Sequence, residues 1–311
     1  MDQSKYGKYI VTKLKSGIAL PVFREEEAKP GRMPRRERVL WMDSDLVPGS
    51  FYSEYVWFFP GQSPTPEQLK RMGPGPHTHP FDEVIAFVGT NQDDLFDLGG
   101  EVELWLEGEC FTLTRSFLVY VPAGMRHCPL KIRRIDRPIF QYTLGSGQHY
   151  QGEPKERKSG STRTNLAGQF VFQYKKDLVH PEYRGKSHDE PGRHMHIAYL
   201  DSEVVPDANF YVEASWFGTA ERPPGEPAKE PQGPEAHAHP FPELITFFGT
   251  NPDEVHDLGG EVELWIGGEQ HVMTRSFVAH IPDGVIHCPL MVKRIKRPIF
   301  HFTAGPGKMY V

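Results

Sequence analysis

The stretch HTHPFDE, residues 77–83, sets two imidazoles two positions apart and a carboxylate four further on. Such a pattern is either a metal site or a polar piece of strand, and a single HxH is more often the latter. Its return decides the matter: HAHPFPE stands at 237–243. Sliding the chain against itself by 160 residues aligns 77–150 with 237–310 without a gap, giving 42 identities in 74 positions. The chain is a tandem duplication. Weaker similarity extends upstream, pairing LWMDSDLVP (40–48) with AYLDSEVVP (198–206) and YGKYI (6–10) with AGQFV (167–171). The seam falls in GEPKERKSGSTRTN (152–165), a charged, Gly/Ser-containing stretch, so the expected domains are 1–155 and 156–311.

Two units of this length imply paired domains rather than a solenoid of short repeats. Within each unit the apolar segments are short and rich in β-branched and aromatic residues, as in EVELWLEGE (101–109), SFLVYVPAG (116–124) and RPIFQYT (137–143). With 30 Gly and 29 Pro as punctuation, these read as strands of a sandwich or barrel. One short helix is expected, in SPTPEQLKRMG (63–73).

The balance of 35 Lys and Arg against 41 Asp and Glu leaves a net charge of −6 and no concentrated basic face for phosphates, which argues against a nucleic-acid partner. No apolar run reaches the length of a signal-peptide core or a membrane span, so no membrane partner and a cytoplasmic location are expected. Three cysteines, Cys110, Cys128 and Cys288, form no disulfide framework and no CxxC pair.

If 77–83 is extended, His77, His79, Phe81 and Glu83 project to one side. His127, which follows PAG at the start of a later strand, offers a third imidazole. Three nitrogen donors and one oxygen donor suit Fe, Mn, Ni, Cu or Zn with room for water or substrate. The second unit repeats the set as His237, His239, Glu243 and His287 at identical spacings.

These residues resemble the two motifs of the cupin superfamily, HxHxxxE and PxGxxH, and a chain with two of each is similar to a bicupin. The second motif reads PAGMRH (122–127) in one unit and PDGVIH (282–287) in the other, with Gly100 and Gly260 in the place of the closing glycine of the first motif. The resemblance implies an all-β fold of two tandem double-stranded β-helix (jelly-roll) barrels. It further implies up to one divalent transition metal per barrel, held by His77, His79, Glu83 and His127 and by His237, His239, Glu243 and His287. The chain departs from the family in three ways. An acidic segment is inserted at 89–100 and 249–260, open to readings as a lid, a rim or a contact between copies in a homo-oligomer. Ser116 and Ser276 stand where a glycine is usual, and Lys131 and Met291 where an asparagine is frequent.

By the same alternation Ile85 and Phe87 face inward beside Phe81, as do Ile245 and Phe247 beside Phe241. An apolar lumen of this kind either simply fills the barrel or takes a flat small-molecule substrate. The copies differ at Phe96, Phe111, Tyr120 and Gln141, which become His256, His271, His280 and His301. His280 and His301 lie in apolar strand segments and are the expected proton-handling residues beside Glu83 and Glu243, with the second centre preferred. Arg126 is a candidate carboxylate binder in the first half only, where Ile286 is its counterpart; Arg115 and Arg275 read as solvated turn arginines. Cys128 and Cys288 follow the candidate histidines, so alternation turns them away from the metal as small buried hydrophobes. The leading expectation is a metal-dependent oxidoreductase of dioxygenase type acting on a small aromatic or enolic substrate. The alternatives are a non-redox cupin decarboxylase, isomerase or hydrolase, and a small-molecule binding protein.

Overall fold

A computed structural model describes residues 4–21, 24, 35–154, 166–174, 189–220 and 234–308. Most of the seam read from sequence, residues 155–165, lies outside this range. Among the described residues, twenty strands run in chain order. They begin with β1 (Ile10–Val11), β2 (Arg36–Met42), β3 (Tyr52–Phe58), β4 (His77–Thr78), β5 (Glu83–Gly89), β6 (Asp97–Leu106) and β7 (Glu109–Arg115). The first repeat closes with β8 (Phe117–Val121), β9 (His127–Ile135), β10 (Ile139–Gly145) and β11 (Glu153–Pro154). There follow β12 (Phe170–Val171), β13 (His194–Leu200), β14 (Phe210–Phe217), β15 (Glu243–Gly249) and β16 (Asp257–Ile266). The last four are β17 (Glu269–Arg275), β18 (Phe277–Ile281), β19 (His287–Ile295) and β20 (Ile299–Pro306). The expected helix is α1 (Pro66–Lys70), held by a capping box in which Thr65 and Gln68 exchange side-chain bonds with each other's backbone N–H.

In the first barrel a six-stranded sheet of order β12-β8-β5-β10-β3-β2 is joined by a five-stranded sheet of order β11-β4-β9-β6-β7. The second barrel repeats this as β1-β18-β15-β20-β14-β13 and β17-β16-β19. All named pairings are antiparallel, as two double-stranded β-helix barrels require. Each lumen holds a ladder of stacked aromatics. Phe87 lies 6.2 Å from Phe58 and 5.4 Å from Phe117, and Phe247 lies 5.9 Å from Phe217 and 5.4 Å from Phe277. Burial of each such ring contributes roughly 1.5–3 kcal/mol.

The arm of each repeat is exchanged. One compact unit is Lys15–Gln173, and the other joins residues up to Leu14 to the chain from Tyr174 onward. β1 therefore pairs with β18 of the second repeat, in the register Ile10↔Ala279, while β12 pairs with β8 of the first, in the register Phe170↔Val119. Each arm thereby covers the free edge of a β-strand. The first arm is fastened by Glu269, whose carboxylate accepts from Ser4 Oγ at 2.6 Å and from the Lys5 and Tyr6 amides at 3.1 and 3.2 Å. A division at 155/156, drawn from the repeat alone, takes no account of this exchange.

The acidic segments do not lie over the metal-ligand motifs. β5 carries Glu83 at one end and Gly89 at the other, about 20 Å apart at roughly 3.3 Å per residue. The segment that follows Gly89 is therefore at the far end of the barrel, which excludes the lid reading. It is stitched into a tight turn: Asn91 Nδ2 donates to Asp97 Oδ2 at 3.2 Å, and Asp97 Oδ1 accepts from the Gly99 amide at 3.0 Å, where φ is +67°. Ser116, in place of the family's glycine, accepts from the Gly89 amide at 3.1 Å and donates to the Leu95 carbonyl at 3.0 Å. Ser276 does the same for Gly249 and Val255, each at 3.1 Å. The serine and the inserted segment are one adaptation.

Candidate metal centres

In the first barrel β4, β5 and β9 converge, with His77 directly opposite His127 in the register. His77, His79, Glu83 and His127 are each no more than 3% exposed. His77 Nε2 stands 3.1 Å from His79 Nε2, Glu83 Oε1 3.5 Å from His79 Nε2, and Glu83 Oε2 3.0 Å from His127 Nε2. All four candidate donors therefore face one small space.

Backbone carbonyls set which ring nitrogen is available. Nδ1 of His77 meets the Gly75 carbonyl at 2.7 Å, Nδ1 of His79 meets that of Gln151 at 2.6 Å, and Nδ1 of His127 meets that of Met125 at 3.1 Å. A carbonyl only accepts, so Nδ1 carries the proton and Nε2 turns a lone pair inward. Two such lone pairs 3.1 Å apart repel unless a cation lies between them. Burial drives the pKa of His77 well down, and the neighbouring His127 and His79 push it further. Burial alone raises the Glu83 carboxyl, but His79 and His127 outweigh it and hold Glu83 below the ordinary range. Glu83 Oε2 and His127 Nε2 are buried and lack hydrogen-bond geometry despite their closeness. Neutral His77 and His79 imidazoles, an ionised Glu83 carboxylate and the orphaned Oε2 of Glu83 and Nε2 of His127 fit a divalent cation.

The second barrel reproduces the arrangement. The backbones of His237 and His287 bond each other at 3.0 and 2.9 Å, and Glu243 Oε2 lies 3.0 Å from His287 Nε2 and 3.7 Å from His239 Nε2. Glu235 and Val285 supply the carbonyls for Nδ1 of His237 and His287, at 2.6 and 3.1 Å. Burial lowers His237 to about 4, whereas Glu243 outweighs burial and raises His287.

Several expected residues fall elsewhere. Phe81 and Phe241 lie flat on the candidate imidazoles, stacked 4.8 Å over His79 and 5.0 Å over His239, and so brace them. This packing explains Gly145, where an added Cβ would come within 2.5 Å of the Phe81 ring. His280 is not brought to the centre. β18 turns Phe277, Ala279 and Ile281 into the core and His280 to the opposite face, 6.2 Å from the ring of Tyr9 in the exchanged arm. His271 lies beside the same arm, 3.8 Å from Glu269. His301 does face the lumen, opposite Phe247 in the register, with its ring stacked 4.2 Å above it and Nδ1 bonded to the Thr246 carbonyl at 2.7 Å.

A cavity opens onto the first centre, with His77, Glu83 and His127 in its wall and Phe58, Met72 and Ile85 as its apolar sides. Its arginines are Arg24 and Arg36, not Arg126. Arg36 lies on β2, outside both motifs. Arg24 is committed to the buried Glu54 at 2.7 and 3.2 Å, with Arg38 adding a bond of 2.6 Å. Burial opposes ionisation of Glu54, but the two arginines hold its pKa far below the usual range. In the second barrel the positions register-equivalent to Arg36, Arg38 and Gln141 are His194, His196 and His301.

No family model matches the chain, and no curated protein matches it significantly. Among solved structures, AerE from Microcystis aeruginosa shares 10% identity over 88% of this chain and 93% of its own, with a TM-score of 0.47. The oxalate decarboxylase of Bacillus subtilis shares 12% identity over 87% and 72%, with a TM-score of 0.48. The Lactobacillus farciminis oxalate decarboxylase formate complex shares 14% over 88% and 82%, with a TM-score of 0.47. Likeness at that distance assigns neither substrate nor reaction. The chain's two antiparallel barrels, each with one copy of the duplicated motifs, are the fold that those motifs predict. Each barrel brings together His and Glu side chains whose donor atoms are grouped closely enough to hold a divalent metal ion.

Proposed function

We propose that the protein is a metal-dependent oxidoreductase of dioxygenase type, acting on a small aromatic or enolic substrate at the first centre, onto which the cavity opens, rather than at the second, which the extra histidines favour from sequence. The observation that carries this reading is the cavity, which sets apolar walls directly against the His77 and His127 imidazoles and the Glu83 carboxylate. The metal, when bound, supplies Lewis acidity and a redox couple toward a substrate oxygen. Phe58 and Ile85 exclude water and orient a flat ring, while Gln141 and Thr143, joined at 2.7 Å, offer polar contacts to its edge. Glu83, ionised, buried and in the cavity wall, would accept a proton from a substrate hydroxyl held there. His301 takes the place of Gln141 in the second barrel, where its imidazole would serve the same end.

Arg36 favours a second reading, in which a substrate carboxylate is held at the cavity and lost without net oxidation, the metal acting only as a Lewis acid. Elemental analysis followed by oxygen-electrode assays with catechols, enols and small carboxylates separates the two. Fe, Mn, Ni or Cu with oxygen uptake supports the first reading. Zinc alone, or turnover without oxygen uptake, overturns it and leaves the second.

A further inference from the structure

Cys128 does not point where strand alternation sends it. Its φ is +69°, and that of Cys288, at the same place in the second barrel, is +75°. Left-handed backbone costs a residue with a Cβ about 1–2 kcal/mol, and glycine or asparagine adopts it far more readily. Both repeats nonetheless place a thiol there. The rotation at Cys128 carries its side chain from the outer face to the side of the imidazoles. Sγ and one ring nitrogen each of His77 and His127 lie within 4.8 Å of one another, as do those of Cys288, His237 and His287. Cys128 also lines the cavity beside His77, Glu83 and His127. Both cysteines are buried, at 6% and 5% exposure, and neither is in a disulfide.

A second observation points to a ligand in the same space. Nε2 of His127 and of His287, each residue 1% exposed, is buried without a hydrogen-bond partner, as are Oε2 of Glu83 and of Glu243. His127 belongs to two donor groups at once, one with His79 and Glu83 and one with His77 and Cys128, and His287 likewise belongs to two. Metal–nitrogen and metal–sulfur bonds of about 2.0–2.3 Å let one ion span donors up to about 4.6 Å apart; each group keeps its own donors within 4.8 Å, and Cys128 is joined to His79 and Glu83 through the shared His127.

We infer that Cys128 and Cys288 are sulfur donors to the two metal centres. Each centre is then a mixed nitrogen, oxygen and sulfur site, and the thiol binds as thiolate with its proton released to solvent. Sulfur turns each site toward softer ions such as Zn, Cu or Fe and away from hard ions such as Mg or Ca. The inference rests on the His and Glu centres described above, and its test separates the two.

Protein stripped with chelator and reloaded with Co²⁺ is read by absorption spectroscopy. Visible d–d bands report cobalt in the His and Glu centres, and an intense near-ultraviolet thiolate-to-cobalt charge-transfer band reports the sulfur. The wild type is expected to show both. Cys128→Ser is expected to remove about half of the charge-transfer intensity and Cys128→Ser/Cys288→Ser all of it, with the d–d bands and cobalt content kept. The inference is overturned by d–d bands without charge transfer in the wild type, or by charge transfer that survives in the double variant. Absence of cobalt from the wild type overturns the centres themselves. X-ray absorption on the zinc-loaded wild type needs no variant: a sulfur shell at about 2.3 Å is expected, and a shell of nitrogen and oxygen alone refutes the inference.

Discussion

The hydroxyl of Tyr211 donates to Glu243 Oε1 at 2.8 Å, whereas its register-equivalent, Tyr52, donates at 3.0 Å to Glu54. The cause lies one rung along. In the first barrel Arg24 and Arg38 hold Glu54 ionised beside Tyr52 and draw its hydroxyl away from Glu83. In the second barrel Glu213 is instead bonded by Tyr174 at 3.3 Å and approached by His196 at 3.3 Å, and Tyr211 turns to the candidate metal carboxylate. Loss of such an outer hydrogen bond costs a metal site roughly 10- to 100-fold in affinity. Tyr211→Phe is therefore expected to weaken the second centre by that factor and leave the first unchanged. Chelator competition on a His79→Ala background, where only the second centre can load, measures it. Equal affinity with and without the hydroxyl would refute the assignment.

Each centre is built wholly from its own barrel, since His77, His79, Glu83 and His127 lie within Lys15–Gln173 and their counterparts within the chain after Tyr174. His239→Ala removes one donor and leaves Glu243 and His287 buried without it. The expected result is a fall from two metal ions per chain to one, with the first centre still loaded. Elemental analysis of the variant decides, and equal loss from both barrels refutes the independence of the sites.

Ser116 closes the turn at the end of the barrel far from the metal. Ser116→Ala leaves the Gly89 amide and the Leu95 carbonyl without this partner, at a cost of about 1–3 kcal/mol. The variant is expected to unfold at lower urea concentration while its metal affinity stays within error of the wild type. A parallel loss of metal would mean that the inserted segment does reach the centre.

The duplication made the fold and both candidate donor sets legible, because repeating one spacing twice removes the ambiguity of a single HxH. Alternation worked wherever the backbone stayed extended: Ile85, Phe87, Ile245 and Phe247 all face the core. Cys128 and Cys288 are buried, as expected of small hydrophobes, but their positive φ departs from extended backbone, so the period of two does not fix where they point. Alternation also warned against His280, which is followed by the inward Ile281 and so must face the other way. The polarity of His280 in an apolar segment concealed a different neighbour, the exchanged arm, and no local pattern shows that residues 6–11 pack on the second repeat. Arg24 and Arg36 were illegible for the same reason, since neither sits in a motif and only the closed barrel brings them to the cavity.

His280 offers a test of that packing through pH. The group is 2% exposed, and burial lowers its pKa from 6.5 to about 4, with Asp283 opposing the shift. As pH falls below 6.5 the unfolded chain binds a proton at this position that the folded chain refuses until about 4. Acid therefore favours unfolding by up to ~1.4 kcal/mol per pH unit, reaching about 3 kcal/mol at about pH 4. Tyr120 fills the equivalent place in the first barrel at 1% exposure, so His280→Tyr introduces a side chain the fold already accommodates. The variant is expected to gain about 3 kcal/mol on the wild type between about pH 7 and pH 4. Hydrogen exchange at the β18 amides of metal-free protein reads the opening locally, and the difference between the two proteins cancels every group they share. Identical pH slopes would show that His280 reaches solvent, or a proton donor, in the folded barrel.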